Sequence, residues 1–321
     1  MPSLLERLGV ELPIVQAGMG GGCAGHELAA AVSEAGGLGT VGIVPPRLMA
    51  AEIEAARALT GRPIAVNLLL PFTTRRHREA AQEADAVVTF WGRPDRPGAA
   101  AWIHQAGSVA EARLAHEAGA DGVIVQGVEA GGHVRGETPA MELLERVRAA
   151  LPDGFPIWLA GGIAEPADVR AGLDGGAEAC VLGTRFLASD ECRAHREYKR
   201  RLIAGAETLL TELFGLGWPA PHRVLPNEAT RRWCVRRPRG PAAIRTFNRL
   251  TGPLASRMPA RAQDFLSRAQ RSSVPLLGPQ MALEDRGENL IEAGPLYAGE
   301  TVARIADVRA AAELVGLLTP P

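Results

Sequence analysis

Along the first two thirds of the chain, short apolar runs alternate with Ala/Glu/Arg-rich segments whose apolar positions recur at helical spacing. Eight runs stand out: "PIVQAGM" from Pro13, "LGTVGI" from Leu38, "IAVNLLL" from Ile64, "AVVTFWG" from Ala86, "AWIHQAG" from Ala101, "GVIVQG" from Gly122, "PIWLAGGI" from Pro156 and "ACVLGTRF" from Ala179. Most are continuously apolar rather than alternating, which predicts parallel strands covered on both faces. The segments between them, such as "HELAAAVSEAGG" and "SVAEARLAHEAGAD", predict amphipathic helices stopped by glycine. Eight strand–helix units in series predict an α/β fold, a (β/α)8 TIM barrel, with an open doubly wound sheet as the alternative.

After the eighth run the rhythm breaks. Residues 205–295 are richer in Pro and Arg and partly helical, as in "PARAQDFLSRAQ", and "IADVRAAAELVGLL" near the end predicts a final amphipathic helix. The expected organisation is therefore a barrel built from 1–204 plus 296–321. Residues 205–295 are expected to form an insertion or lid over the active site, because insertions after barrel strands gather at the catalytic face.

Composition narrows the chemistry. Of 321 residues 46% are hydrophobic and the formal net charge is −1, so no basic field invites nucleic acid or an anionic membrane. No apolar run reaches membrane-spanning length, and "MPSLLERLGVELP" carries charges where a leader peptide needs its apolar core; a cytoplasmic protein is expected. Cys23, Cys180, Cys192 and Cys234 form no CxxC pair and no zinc spacing, so no structural metal is expected. Lys199 is the only lysine, which argues against Schiff-base, pyridoxal phosphate and P-loop chemistry.

The candidate site residues lie at strand ends. "GGGCAG", Gly20–Gly25, has dinucleotide-fold spacing, but the second strand, "LGTVGIVPP", lacks the acid that would hold a ribose. Those glycines are read instead as letting backbone approach a flat ligand, with Gly18, Met19 and Gly20 as its floor. Gly161 and Gly162 end the seventh strand, and Gly183 and Thr184 end the eighth. Loops at those places commonly bind phosphate through backbone N–H groups, and lysine is scarce enough to favour such binding here. Asn67 and Gln126 are amides within apolar strands, suited either to a heterocycle or to capping a neighbouring strand. Of seven histidines, His77, His116 and His195 are expected in solvated helices, His26 at a helix N-terminus and His222 in the insertion; His104 fits either face of its strand. His133 alone sits in a Gly-rich loop at the catalytic face, where an imidazole can take or relay a proton. "RRWCVRRPRG", Arg231–Gly240, is read as a solvated face, with a phosphate contact as the alternative.

Together, "PIVQAGM", "EAGGLGTVG", "VNLLL", "VVTFWGRP", "QGVEAGGHVRG", "AGGIAEPADV" and "LGTRFLAS" resemble, in this order, the nitronate monooxygenase (2-nitropropane dioxygenase) family; the likeness returns in "LYAGETVARIADVRAAAELV". The resemblance extends to flavin-containing enoyl-acyl-carrier-protein reductases and NADH:quinone reductases. It implies a TIM barrel binding FMN without a covalent link. Gly18, Met19, Asn67, Gln126, Gly131, Gly132, Gly161, Gly162, Val181, Leu182, Gly183 and Thr184 would contact the flavin, with His133 as the catalytic base or electrostatic partner. The implied reaction oxidises alkyl nitronates with O2 to a carbonyl compound and nitrite; the alternative is an FMN-dependent NAD(P)H reductase of an enoyl thioester or quinone. The expected partners are accordingly a small-molecule substrate, O2 and, for the alternative, NAD(P)H; a homodimer is the assembly considered. The chain departs from the family pattern at Tyr297-Ala298-Gly299-Glu300, where glutamine is usual at the last position. The acid at Glu300 disfavours an anionic substrate unless it is neutralised.

Overall fold

Eleven strands form two sheets in the computed structural model, which describes residues 2–98, 100–255 and 260–320. Eight of them are the predicted runs: β1 (Ile14–Gln16), β2 (Gly39–Val41), β3 (Ile64–Leu69), β4 (Ala86–Phe90), β5 (Ala101–Ala106), β6 (Gly122–Gln126), β8 (Ile157–Ala160) and β9 (Ala179–Leu182). The other three, β7 (Gly132–His133), β10 (Leu209–Thr211) and β11 (His222–Val224), have no counterpart among the predicted runs. The eight pair in parallel in the order β1-β9-β8-β6-β5-β4-β3-β2. The last gap is bridged where Gln16 N–H donates to Leu38 O and Leu38 N–H to Ile14 O, both at 2.9 Å. The fold is thus a TIM barrel, not an open sheet.

The chain divides into two compact units. The first comprises Met1–Glu129, Arg135–Arg193 and Asp307–Pro321; the second comprises Ala130–Val134 and Ala194–Ala306.

In the first unit, alternate strand residues fill the barrel. Val15, Ala65, Val88, Ile103, Ile124, Trp158 and Val181 belong to one buried cluster. Their neighbours, such as Val66, Leu68 and Val87, pack outward against Met49, Ile53 and Ala56 of the helix Pro46–Leu59. Two apolar surfaces per strand explain the continuous runs. The helix Leu4–Leu8 buries Leu4 and Leu5 in the interior cluster, and Leu5 N–H donates to the Glu178 carboxylate at 3.1 Å. Crossover helices have local causes. Ser108 caps Val109–Glu117 by accepting from Glu111 N–H, and Pro166 opens Pro166–Asp174 at the position where proline is tolerated.

Two expectations need correction. No helix is found among the described residues between β4 and β5, where Gly92, Pro94, Pro97 and Gly98 interrupt any helical run. The final helix is shorter than its pattern, Ala311–Leu318, because the residues before it are used elsewhere. Asp307 pairs with Arg185, and the Arg309 backbone bridges Ser189. That last helix packs against His26–Glu34 and Pro166–Asp174, closing the helical ring.

The second unit holds the antiparallel sheet β10-β11-β7, in which His222 pairs with His133 and Arg223 with Gly132. It also contains the helices Glu228–Trp233, Ala242–Ala255 and Ala260–Ala269. Leu213, Phe214, Val224, Ala229 and Leu277 form its core. Among the described residues no helix is long and apolar enough to cross a membrane.

Candidate functional site

Parallel strands present all their carboxyl ends on one face, so Gly18 and Met19 after β1, Asn67 in β3, Gln126 at the end of β6, Gly161 and Gly162 after β8, and Gly183 and Thr184 after β9 share that face. Gly18 is there because nothing larger fits: a Cβ would lie 2.3 Å from Asn67 Cβ and 3.0 Å from Thr40 Cγ2. Glycine therefore brings β1 against β2 and β3. Asn67 is buried and its Nδ2 donates to Val88 O at 3.4 Å; Gln126 Oε1 accepts from Arg135 N–H at 3.1 Å. One atom of each amide thus serves the backbone, in line with the capping alternative.

Gly161 and Gly162 adopt φ of +107° and +74°, conformations that favour glycine, and thereby turn the chain sharply after β8. Beside Gly162 and Gly183 there is room: an added Cβ would meet nothing nearer than Glu129 Cβ at 3.5 Å and Ala17 Cβ at 3.7 Å respectively. Val181 and Leu182 lead into Gly183, and Thr184 starts the four-residue helix Thr184–Leu187.

Three further residues on this face were not among the site candidates read from the sequence. Thr40 Oγ1 is buried beside Gly18 with no hydrogen-bond partner, an acceptor and donor left over for a ligand. Trp91, just after β4, is the one described non-glycine residue at positive φ (59°), and the Arg135 guanidinium lies 4.6 Å from its ring centre. Such strain is characteristic of functional sites. Glu129 accepts from Ala140 N–H at 3.0 Å, tying the loop after β6 to the start of the next helix.

Part of the first glycine cluster serves a different purpose from the one expected. A Cβ on Gly25 would sit 2.2 Å from Arg193 Cζ. Arg193 passes through that gap to reach Glu52 (2.6 Å), Glu27 (2.7 Å) and His26 Nδ1 (2.9 Å). Burial raises the Glu52 carboxyl, but Arg193 and His26 outweigh it and hold it below its ordinary value. His26, Glu27 and Glu52 are spaced closely enough to ligate a metal, yet it is this guanidinium that lies among them. His26 sits at a helix start, as expected.

His77 does not follow its expectation. It is buried, not solvated, and its Nε2 lies 3.1 Å from Val44 O. The charged run around it described the other faces of its helix.

In the second unit His133 lies in β7 with Gly131 and Gly132 before it, Gly132 at φ +74°. The Trp218 ring stacks on it, centres 3.5 Å apart and planes 16° apart. His222 stands 5.4 Å away and Tyr297 5.5 Å away. Burial, with His222 beside it, pushes the His133 imidazole well below its ordinary value, so it is neutral at pH 7. His222 is itself down to about 4 through burial. Its Nδ1 lies 2.9 Å from Ala220 O and its Nε2 accepts from Phe214 N–H at 3.3 Å, which fixes one tautomer. Tyr297 donates to Pro279 O at 2.8 Å. Glu300 is neutralised: its Oε1 lies 2.7 Å from the buried Arg223 guanidinium. In the arginine-rich stretch, Arg231 pairs with Glu292 at 3.7 Å and Arg239 with Glu212 at 3.7 Å, so these two are held rather than merely solvated.

Residues 2–96 and 94–320 match the nitronate monooxygenase family. A (3aS,4S,5R,7aS)-5-hydroxy-7a-methyl-1-oxo-octahydro-1H-indene-4-carboxyl-CoA dehydrogenase from Mycobacterium tuberculosis is 33% identical over 239 residues, 70% of this chain but 66%, just under two thirds, of that protein. A nitronate monooxygenase from Pseudomonas aeruginosa is 33% identical over 266 residues, covering 64% of this chain and 74% of its own length. Among solved structures, FabK from Thermotoga maritima superposes with a TM-score of 0.77 at 27% identity, covering 98% of this chain and 94% of that one. A nitroalkane oxidase from Streptomyces ansochromogenes superposes with a TM-score of 0.73 at 32% identity, covering 98% and 96%.

Proposed function

We propose that this chain, which belongs to the nitronate monooxygenase family, is an oxidoreductase that oxidises alkyl nitronates with O2 using FMN held at the carboxyl ends of the barrel strands. The observation that carries the reading is the shared polarity of the glycine turns after β1, β8 and β9 with the Thr40, Asn67 and Gln126 side chains. When bound, the flavin supplies a redox centre that accepts electrons from substrate and passes them to O2. Backbone N–H groups of Gly161, Gly162, Gly183 and Thr184 would hold its phosphate, which explains how a chain with one lysine manages. Gly18 and Met19 would line one side of the ring, Val181 and Leu182 lie behind the phosphate turn, and Thr40, Asn67 and Gln126 would meet polar ring atoms. Gly131 and Gly132 would keep side chains out of the way of His133.

His133 acts as the proton-handling group. Because burial depresses its proton affinity, it is a weak base, suited to an already ionised nitronate rather than to a neutral nitroalkane. The Arg223–Glu300 pair removes the repulsion an isolated carboxylate would exert on such an anion.

The test is direct. Purified protein should be yellow, should consume O2 and should release nitrite with propionate 3-nitronate; absence of O2 uptake and of nitrite would sink the proposal. A second reading, an FMN-dependent NAD(P)H reductase of an enoyl thioester or quinone, is favoured by the name of the M. tuberculosis relative, a carboxyl-CoA dehydrogenase. Anaerobic bleaching of the flavin by NADH or NADPH before any nitronate is added would select it.

A further inference from the structure

The arginine-rich stretch leads into the helix Ala242–Ala255, one face of which carries an unexplained polar cluster. We propose that Arg239, Arg245, Asn248 and Arg249 form a binding site for a phosphate monoester. Arg245, Asn248 and Arg249 stand at i, i+3 and i+4 and so project side by side. Glu212, its side chain only 4% exposed, anchors the arginines, with Arg249 at 3.1 Å, Arg245 at 3.4 Å and Arg239 at 3.7 Å. Arg245 and Arg249 share that one carboxylate, which leaves positive charge over for a phosphate monoester, an anion at pH 7. Arg249 and Arg239 remain 62% and 48% exposed, so a ligand can reach them from solvent.

Ion pairing alone does not account for the rest of the cluster. Asn248 is 1% exposed, yet neither its Oδ1 nor its Nδ2 has a hydrogen-bond partner among the described residues, and the same is true of the buried Arg245 Nε. Buried amides are rarely left so. Asn248 Nδ2 and Glu212 O lie 3.1 and 3.0 Å from the point where a Cβ of Gly215 would stand, so the amide faces the segment that carries the anchor. Guanidinium forks and an amide N–H are the donor set that phosphate oxygens take.

The site lies wholly in the second unit and goes beyond the nitronate reading. Binding is measured without turnover, so each proposal can fail while the other stands. Calorimetry on the full-length protein as purified would use adenosine 2′,5′-bisphosphate, adenosine 3′,5′-bisphosphate and inorganic phosphate, with adenosine as the control. At least one phosphate should bind saturably, and Arg249→Ala and Arg245→Ala should each weaken it about 10-fold or more. Asn248→Ala should weaken it less, and Arg249→Lys should only partly preserve it. The tighter bisphosphate identifies the ribose ester recognised; preference for inorganic phosphate identifies the free ion. Should Arg245→Ala misfold by circular dichroism, Arg249→Ala alone decides the outcome, since that side chain is the most exposed of the three. No saturable binding by any of the three, or binding untouched by Arg249→Ala, overturns the proposal.

Discussion

Gly18 illustrates what single residues do at the barrel face. Gly18→Ala would press a methyl into Asn67 Cβ, which is no flexible tip and cannot swing aside. We expect a loss of about 1–3 kcal/mol together with weaker flavin retention, read from a denaturant melt and the absorbance of bound cofactor; full stability and colour would show that the two strands part easily. His133→Ala should keep the flavin and lose turnover. The sequence pointed to glycine and amide positions because their chemistry is odd in apolar strands. It could not point to Thr40, an ordinary β-residue whose importance lies in having no partner, nor to His77, whose charged neighbours hid one inward-facing side.

At the scale of elements, the β7–β11 pairing and the Trp218 loop build the surroundings of His133 from positions far apart in the chain. Two titratable groups lie against His133: His222, which is buried, and Tyr297, which is partly buried. Removing the stacked ring admits water, so Trp218→Ala should raise the His133 midpoint toward its ordinary 6.5 in an NMR titration, while Trp218→Phe should leave it low. An unmoved midpoint in Trp218→Ala would mean that Trp218 does not shield the imidazole. Arg193 is the comparable tie in the barrel. Arg193→Ala strands the Glu52 carboxylate, 7% exposed, and should cost roughly 2–4 kcal/mol; Glu52→Gln in the same background should recover part of that loss. These elements were illegible for a physical reason. Strands of two or three mixed residues, "GH", "LLT" and "HRV", are too short to show a period, whereas the barrel strands announce themselves through burial on both faces.

For the whole molecule, histidines held neutral by burial are expected to set the acid limit. Burial lowers His104 in β5 and His222 in β11 to about 4, and depresses His77 and His133 as well. In the unfolded chain all four titrate near 6.5, so between pH 6.5 and 4 the unfolded state binds more protons. Stability therefore falls as pH falls through that window, by roughly 3 kcal/mol each for His104 and His222. Thermal midpoints should be lower at about pH 5 than at about pH 7.5, and His104→Asn should narrow the gap; an unchanged gap would assign the acid limit to the carboxylates. The barrel strands were legible because burial on both faces makes them continuously apolar, whereas the second unit is not a single stretch of sequence. Ala130–Val134 belongs to that unit although it interrupts the first. The consequence is one of inheritance: a graft that exchanges only residues 194–306 between relatives leaves β7 behind. A working transplant must carry the short piece after β6 as well, so the two segments are expected to change hands together.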